Sequence, residues 1–204
     1  MPSISKVMFA TACLCLLFMV ASVEAKADAV TFSTTGKFTC AGCTGDGTNS
    51  VTIGTGFNTL ILTFTGVNNV TLNTGPDGFT NANFGEIKVI AGSNGATIPA
   101  NTQLSLQVTQ TAPSQGGGQF VGILSGFISP STTTGELKFI ATSFSIGAIR
   151  YDVDAAFKLV PFLNNGGVTT IQGKITATPE PATMILLGTG ILGVAGALRR
   201  RGRR

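Results

Sequence analysis

Few residues in this chain have the type and spacing to do chemistry. Cys40-Ala41-Gly42-Cys43 places two cysteines three apart, and Asp152 and Asp154 form a close acid pair. A C-x-x-C pair can act as a redox dithiol, as half a zinc site, or as a disulfide. The redox role needs the pair to open a helix whose dipole lowers a thiol pKa, but Cys43 leads into the turn sequence Gly45-Asp46-Gly47. A zinc site needs a second pair of ligands, and the other two cysteines, Cys13 and Cys15, lie in the leader, so none remains after its removal. The leader described below directs the pair to an oxidising compartment, where a local disulfide pinning the first hairpin is expected. Asp152 and Asp154, at i and i+2, are expected on one face of one strand, an arrangement open to glycoside cleavage or calcium binding. Glycosidases hold their carboxyls roughly 5–9 Å apart across a cleft. This chain has no tryptophan, shows no cleft-lining aromatics, and directs its single Tyr151 to the opposite, buried face. Arg150 shares the face of the acids, so a solvated, charge-balanced exterior is expected. Asp46 and Asp77 fall in turns, where carboxylates cap backbone groups, and they match no calcium-loop spacing. The chain contains no histidine, which removes Ser-His-Asp and Cys-His catalysis and histidine metal ligation. No catalytic residue, metal or cofactor is expected, and the protein is expected not to be an enzyme.

The elements that must carry these residues are strands. Of 204 residues, 27 are glycine and 11% are charged, a composition that disfavours coiled coils and large helical bundles. Alternation with period two runs through Gln103–Thr109, Glu136–Ala141, Ile149–Lys158 and Ile171–Ala177. Further strands are expected at Val30–Phe38, Thr59–Thr65, Val70–Asn73, Phe84–Ala91 and Phe120–Ser129. Turns are expected at 45–47, 75–78, 93–95, Gly116–Gly118 and Asn164–Gly167. About nine half-buried strands need a second sheet to cover them, so the expected fold is all-β, a β-sandwich of jelly-roll or immunoglobulin-like type. Threonine supplies 26 of residues 28–178, which suits exposed strand faces. An ice-binding ladder would need a regular Thr-x-Thr array. Thr63/Thr65 and Thr176/Thr178 give only pairs, the first in a buried-looking run.

Charge separates this body from its flanks. Residues 28–178 hold six basic and seven acidic side chains, a net of −1 (6 − 7), so the body lacks the basic face that binding to nucleic acid requires. The basic excess lies in Lys6, Lys26, Arg199, Arg200, Arg201, Arg203 and Arg204. Residues 1–27 read as a signal peptide. Lys6 is followed by the apolar run Val7–Val20 and the small-residue exit Ala25-Lys26-Ala27, which implies signal peptidase and the secretion machinery as partners. Residues 179–204 read as Pro179-Glu180-Pro181, an uncharged stretch 182–198, and the arginine cluster. Seventeen helical residues span roughly 25 Å, near the lower limit for a transmembrane helix. The arginines hold the cytoplasmic side and place the body outside.

Pro-Glu-Pro, a short glycine-rich apolar helix and a terminal arginine cluster resemble the PEP-CTERM sorting signal. This tail is also labelled as the C-terminal domain of an ice-binding protein, a label that implies no ice binding. The resemblance covers 179–204 alone. It implies that Pro179, Glu180 and Pro181 are recognised by exosortase, a membrane-embedded cysteine transpeptidase, with the inner membrane holding the precursor transiently. The prolines suit that role, because they lack backbone donors and keep the segment extended. The implied function is an exported cell-surface or extracellular-matrix protein, structural or adhesive in a biofilm, with exopolysaccharide as a partner. A carbohydrate-binding module is the alternative, and a hydrolase using Asp152 and Asp154 a weaker one.

Overall fold

The computed structural model describes residues 29–75, 77–177, 188 and 190. The expected leader 1–27, Pro179-Glu180-Pro181, the membrane helix 182–198 and the arginine cluster lie outside the described residues, save Gly188 and Gly190, which are helical.

Fourteen strands form the body. The first five are β1 (Ala29–Thr39), β2 (Ser50–Ile53), β3 (Leu60–Thr65), β4 (Val70–Asn73) and β5 (Phe79–Ala91). Next come β6 (Ala96–Thr97), β7 (Gln103–Ala112), β8 (Gly116–Ser125), β9 (Phe127–Ile128) and β10 (Glu136–Phe139). The last are β11 (Ser143–Ile146), β12 (Ile149–Val153), β13 (Ala156–Lys158) and β14 (Val168–Ala177). One antiparallel sheet has the order β13-β10-β8-β7-β1-β4 and another β11-β12-β14-β5-β3-β2, while β6 and β9 form a small third sheet. The all-β expectation is met.

Period-two patterning explains how the large sheets meet. Leu104, Leu106 and Val108 of β7 are buried, as are Leu60, Leu62 and Phe64 of β3 and Ile149, Tyr151 and Val153 of β12. These residues join one core, which removes apolar surface from water on both inner faces. Aromatic contacts cross it. Phe32 of β1 lies 5.8 Å from Phe84 of β5 and 6.0 Å from Tyr151 of β12, measured between ring centroids. The sheets are also stitched at their edges. Thr34 N–H donates to Val67 O (2.8 Å) and Phe38 N–H to Thr48 O (2.7 Å). On the other side, Phe139 N–H donates to Ala155 O (2.9 Å) and Asp154 N–H to Gln172 O (3.2 Å). The sheets therefore curl toward each other.

Several expectations are corrected. Gly116–Gly118 is not a turn. These residues open β8 and pair with Gln110, Thr109 and Val108 of β7. A Cβ on Gly116 would collide with Ile146, and one on Gly118 with the Phe144 ring. The missing side chains make room for β11, which the sequence reading overlooked along with β2 and β6. The ring of Phe144 lies 4.6 Å from Phe120 and stacks on Tyr151 at 5.3 Å. The alternation over 149–158 does not make one strand. It divides at Asp154-Ala155 between β12 in one sheet and β13 in the other. Here the chain crosses the edge of the core, so Ala155 is exposed instead of inward. Likewise β10 stops at Phe139, which leaves Ile140 and Ala141 exposed. Thr63 and Thr65 were expected in a buried run but lie opposite the inward Leu62 and Phe64, on the outer face of β3.

Candidate functional site

Antiparallel registers sort the connections into two ends. Ala29 opens β1 opposite Asn73, and Ala177 closes β14 opposite Ile149. The chain thus enters and leaves the described body at one end. That end has short turns: 74–78 between β4 and β5, 113–115 between β7 and β8, and 147–148 between β11 and β12. The exit is hydrogen-bonded until its last residue, since Ala177 N–H donates to Gly78 O at 2.8 Å. Thr176 is flanked by Phe79 on one neighbouring strand and Arg150 on the other. Lys174 Nζ stands 3.7 Å from the centroid of the exposed Phe79 ring. Pro179, Glu180 and Pro181 follow two residues beyond β14.

Beneath this end lies a closed polar network. Tyr151 is fully buried, and its hydroxyl donates to Gln110 Oε1 at 2.7 Å. Gln110 Nε2 donates in turn to Ser114 O (2.7 Å) in the 113–115 turn. Burial pushes the Tyr151 phenol well above its ordinary pKa, because the phenolate would lose its hydration. Among the described residues, every buried side-chain nitrogen and oxygen has a hydrogen-bond partner.

The acid pair is divided by the end of β12. Asp152 lies on the outer face of β12, where Arg150 Nε donates to its Oδ1 and Oδ2 (2.9 and 3.1 Å) and Arg150 Nη2 reaches Oδ1 at 2.9 Å. Asp154 is exposed just past the end of β12, where the chain crosses to the other sheet, so the two acids do not sit on one strand. No group of three or more acids or cysteines able to hold a metal occurs among the described residues.

Cys40 and Cys43 are disulfide-bonded, with Cα atoms 5.5 Å apart. They do not pin a hairpin, because β1 and β2 belong to different sheets. The bond instead closes a turn within the crossover 40–49. Asp46 Oδ1 accepts the Cys40 N–H there at 2.8 Å, which is the capping role expected of a turn aspartate. Cys40 itself is buried, and the Thr102 hydroxyl donates to its sulfur at 3.5 Å.

The opposite end carries the long connections 54–59, 92–102, 126–135 and 159–167. Large apolar side chains are exposed on them: Phe57 (75%), Leu163 (68%), Phe162 (40%) and Phe127 (38%). These loops are tied to one another. Asn94 N–H donates to Phe57 O (3.0 Å) and Leu163 N–H to Pro130 O (2.9 Å). Beside them a shallow cleft of about 470 Å³ is lined by Ser131, Thr132, Thr133, Lys158, Pro161 and Asn164, among others. The sequence reading found no exposed aromatics. The missed signal was apolar residues set inside turn sequence, Gly56-Phe57-Asn58 and Pro161-Phe162-Leu163-Asn164.

Outer-face threonines are engaged locally. Thr63 bonds the Ser50 hydroxyl at 2.9 Å, and Thr31 the Thr71 hydroxyl at 2.9 Å, as cross-strand hydroxyl pairs do. Thr178, of the Thr176/Thr178 pair, lies outside the described residues.

No curated protein and no solved structure matches the chain. Residues 177–201, starting on the last residue of β14, match the PEP-CTERM protein-sorting motif, and the chain is therefore one that carries this sorting signal directly behind its β body.

Proposed function

We propose that the chain is the precursor of an exported protein whose β body is delivered to the cell surface or extracellular matrix and serves there as a structural or adhesive element, without catalysis. The observation that carries this reading is the sorting-motif match at 177–201. The motif implies export and a membrane-anchored precursor processed by an exosortase. Pro179, Glu180 and Pro181 form the recognised segment, 182–198 the transient anchor, and the arginines 199–204 the cytoplasmic stop. The disulfide fits an oxidising destination. With six strands in each large sheet, the body exceeds the roughly seven to nine of immunoglobulin domains, and we read it as jelly-roll-like.

A carbohydrate-binding module is the second reading, favoured by the exposed Phe57, Phe127 and Phe162 and the nearby cleft. Aromatic faces of this kind stack on sugar rings. The Arg150–Asp152 pair gives a hydrolase no such support.

Intact mass of the protein recovered from membrane, surface and medium fractions of its native cells tests the proposal. A mature start near Asp28 and loss of the residues beyond the Pro-Glu-Pro region, outside the inner membrane, is the expected result. An intact tail resting in the inner membrane would make the chain a plain tail-anchored protein.

A further inference from the structure

The sorting motif follows the body almost without a spacer. Ala177, the first matched residue, is still hydrogen-bonded to Gly78 and paired with Ile149. Successive Cα atoms stand 3.8 Å apart, so Pro179 lies no more than about 7.6 Å from Ala177. A strand pair is about 4.8 Å across, so this tether is little longer than one strand spacing. An enzyme that grips residues 179–181 must come against the end of the body itself.

That end is shaped for close approach. Its turns, 74–78, 113–115 and 147–148, are short, whereas the long loops lie at the far end. The three turns contain one acid, Asp77, and no basic residue, so they offer nothing to anionic lipid headgroups, which attract lysine and arginine. An apolar contact borders the exit instead. Phe79 is paired with Thr176, its ring backed by the Lys174 ammonium and the residue 42% exposed. We infer that this end face, with Phe79 as its apolar contact, is an interaction surface for the enzyme that processes the Pro-Glu-Pro segment. The inference rests on the exosortase reading above and extends it, because the recognised substrate then includes the folded body as well as the tail.

The test follows full-length protein in its native cells by pulse-chase, reading the ratio of precursor to processed mass. Phe79→Ser removes the apolar contact and is expected to slow processing about tenfold, equivalent to roughly 1.4 kcal/mol. Asp77→Trp adds bulk to the exposed turn and is expected to slow it at least as much. A ten-residue Gly/Ser insertion between Ala177 and Thr178 should bring Asp77→Trp back to the rate of the insertion alone, because the bulk no longer meets the enzyme. Glu180→Ala provides the reference block, and cooperative melting of each purified full-length variant checks folding. Wild-type rates for both Phe79→Ser and Asp77→Trp, with Glu180→Ala still blocked, overturn the surface and leave the exosortase reading standing. Failure of the insertion to relieve Asp77→Trp also overturns it. Unimpaired processing of Glu180→Ala removes the exosortase reading, and the inference with it.

Discussion

The exit end and the far end of the body are capped from the same strands but built differently. At the exit end short turns join consecutive strands, within a sheet or across the two, over packed aromatics, with Phe144 stacked on Tyr151 and the Tyr151–Gln110–Ser114 chain closing the polar atoms. At the far end long loops, two 3₁₀ turns (Gly56–Asn58 and Asn165–Gly167) and the β6–β9 ribbon leave Phe57, Phe127, Phe162 and Leu163 in water. A stable body needs its apolar side chains covered, so the cluster of exposed Phe57, Phe127, Phe162 and Leu163 marks the far end as a surface free for partners, whereas Phe79 is exposed beside the exit. Tightly closed turns at the other end suit the place where the chain is held and cut.

Substitutions can break this contrast or sharpen it. The largest effect is expected from Gly118→Leu, whose side chain would have to occupy the space of the Phe144 ring. Overpacking of this kind costs about 3 kcal/mol, to be read as a lower midpoint in denaturant. A midpoint equal to wild type would show that β11 is not packed onto β8. Replacing Cys40 and Cys43 together by serine releases only a small closed loop, so a loss of about 2 kcal/mol is expected. Reducing agent should lower the wild-type melting temperature and leave that of the double variant unchanged.

Tyr151→Phe leaves the buried Gln110 Oε1 without its donor, at a cost of about 1–2 kcal/mol. It should also alter the alkaline limb of stability. The folded phenol holds its proton to higher pH than the unfolded one, so the wild type loses stability as pH rises above about 10. The Phe variant should lack that part of the decline, and parallel curves for the two proteins above pH 10 would contradict the burial argument. The smallest stability change, within about 0.5 kcal/mol, is expected for Phe57→Ser combined with Phe162→Ser at the far end. If the body is adhesive as proposed, the same variant should lose retention on extracellular matrix from its native cells, and unchanged retention would count against these loops as the proposed adhesive surface.

Much of the fold was legible because alternation along one strand is a local property. Leu104, Leu106 and Val108 had to face inward together whichever strands lay beside them. The disulfide partners and the capping role of Asp46 were legible for the same reason, since the residues involved lie within one turn. Where partners are distant in sequence, local reasoning failed. Three consecutive glycines read as a turn because nothing nearby reveals that the side chains of Phe144 and Ile146 need their space. The run from Ile149 to Lys158 kept a clean period across a point where the chain changes sheet, because both sheets bury the same side of it. The paired acids were proposed on that false continuity.

The sequence by itself determined the composition of the ends: an apolar run Val7–Val20 with a small-residue exit at one, and Pro-Glu-Pro, an apolar stretch and arginines at the other. The residues of each such segment are contiguous in the chain, so the pattern is legible without the fold. It also determined that the body is made of strands. Only the tertiary structure decided which strands share a sheet, that the sorting motif starts on a residue still held in β14, and that Phe57, Phe127 and Phe162 gather opposite the exit. Those facts depend on pairings between residues far apart in the chain, such as Ala177 with Ile149 and with Gly78, and only the shared core brings them together.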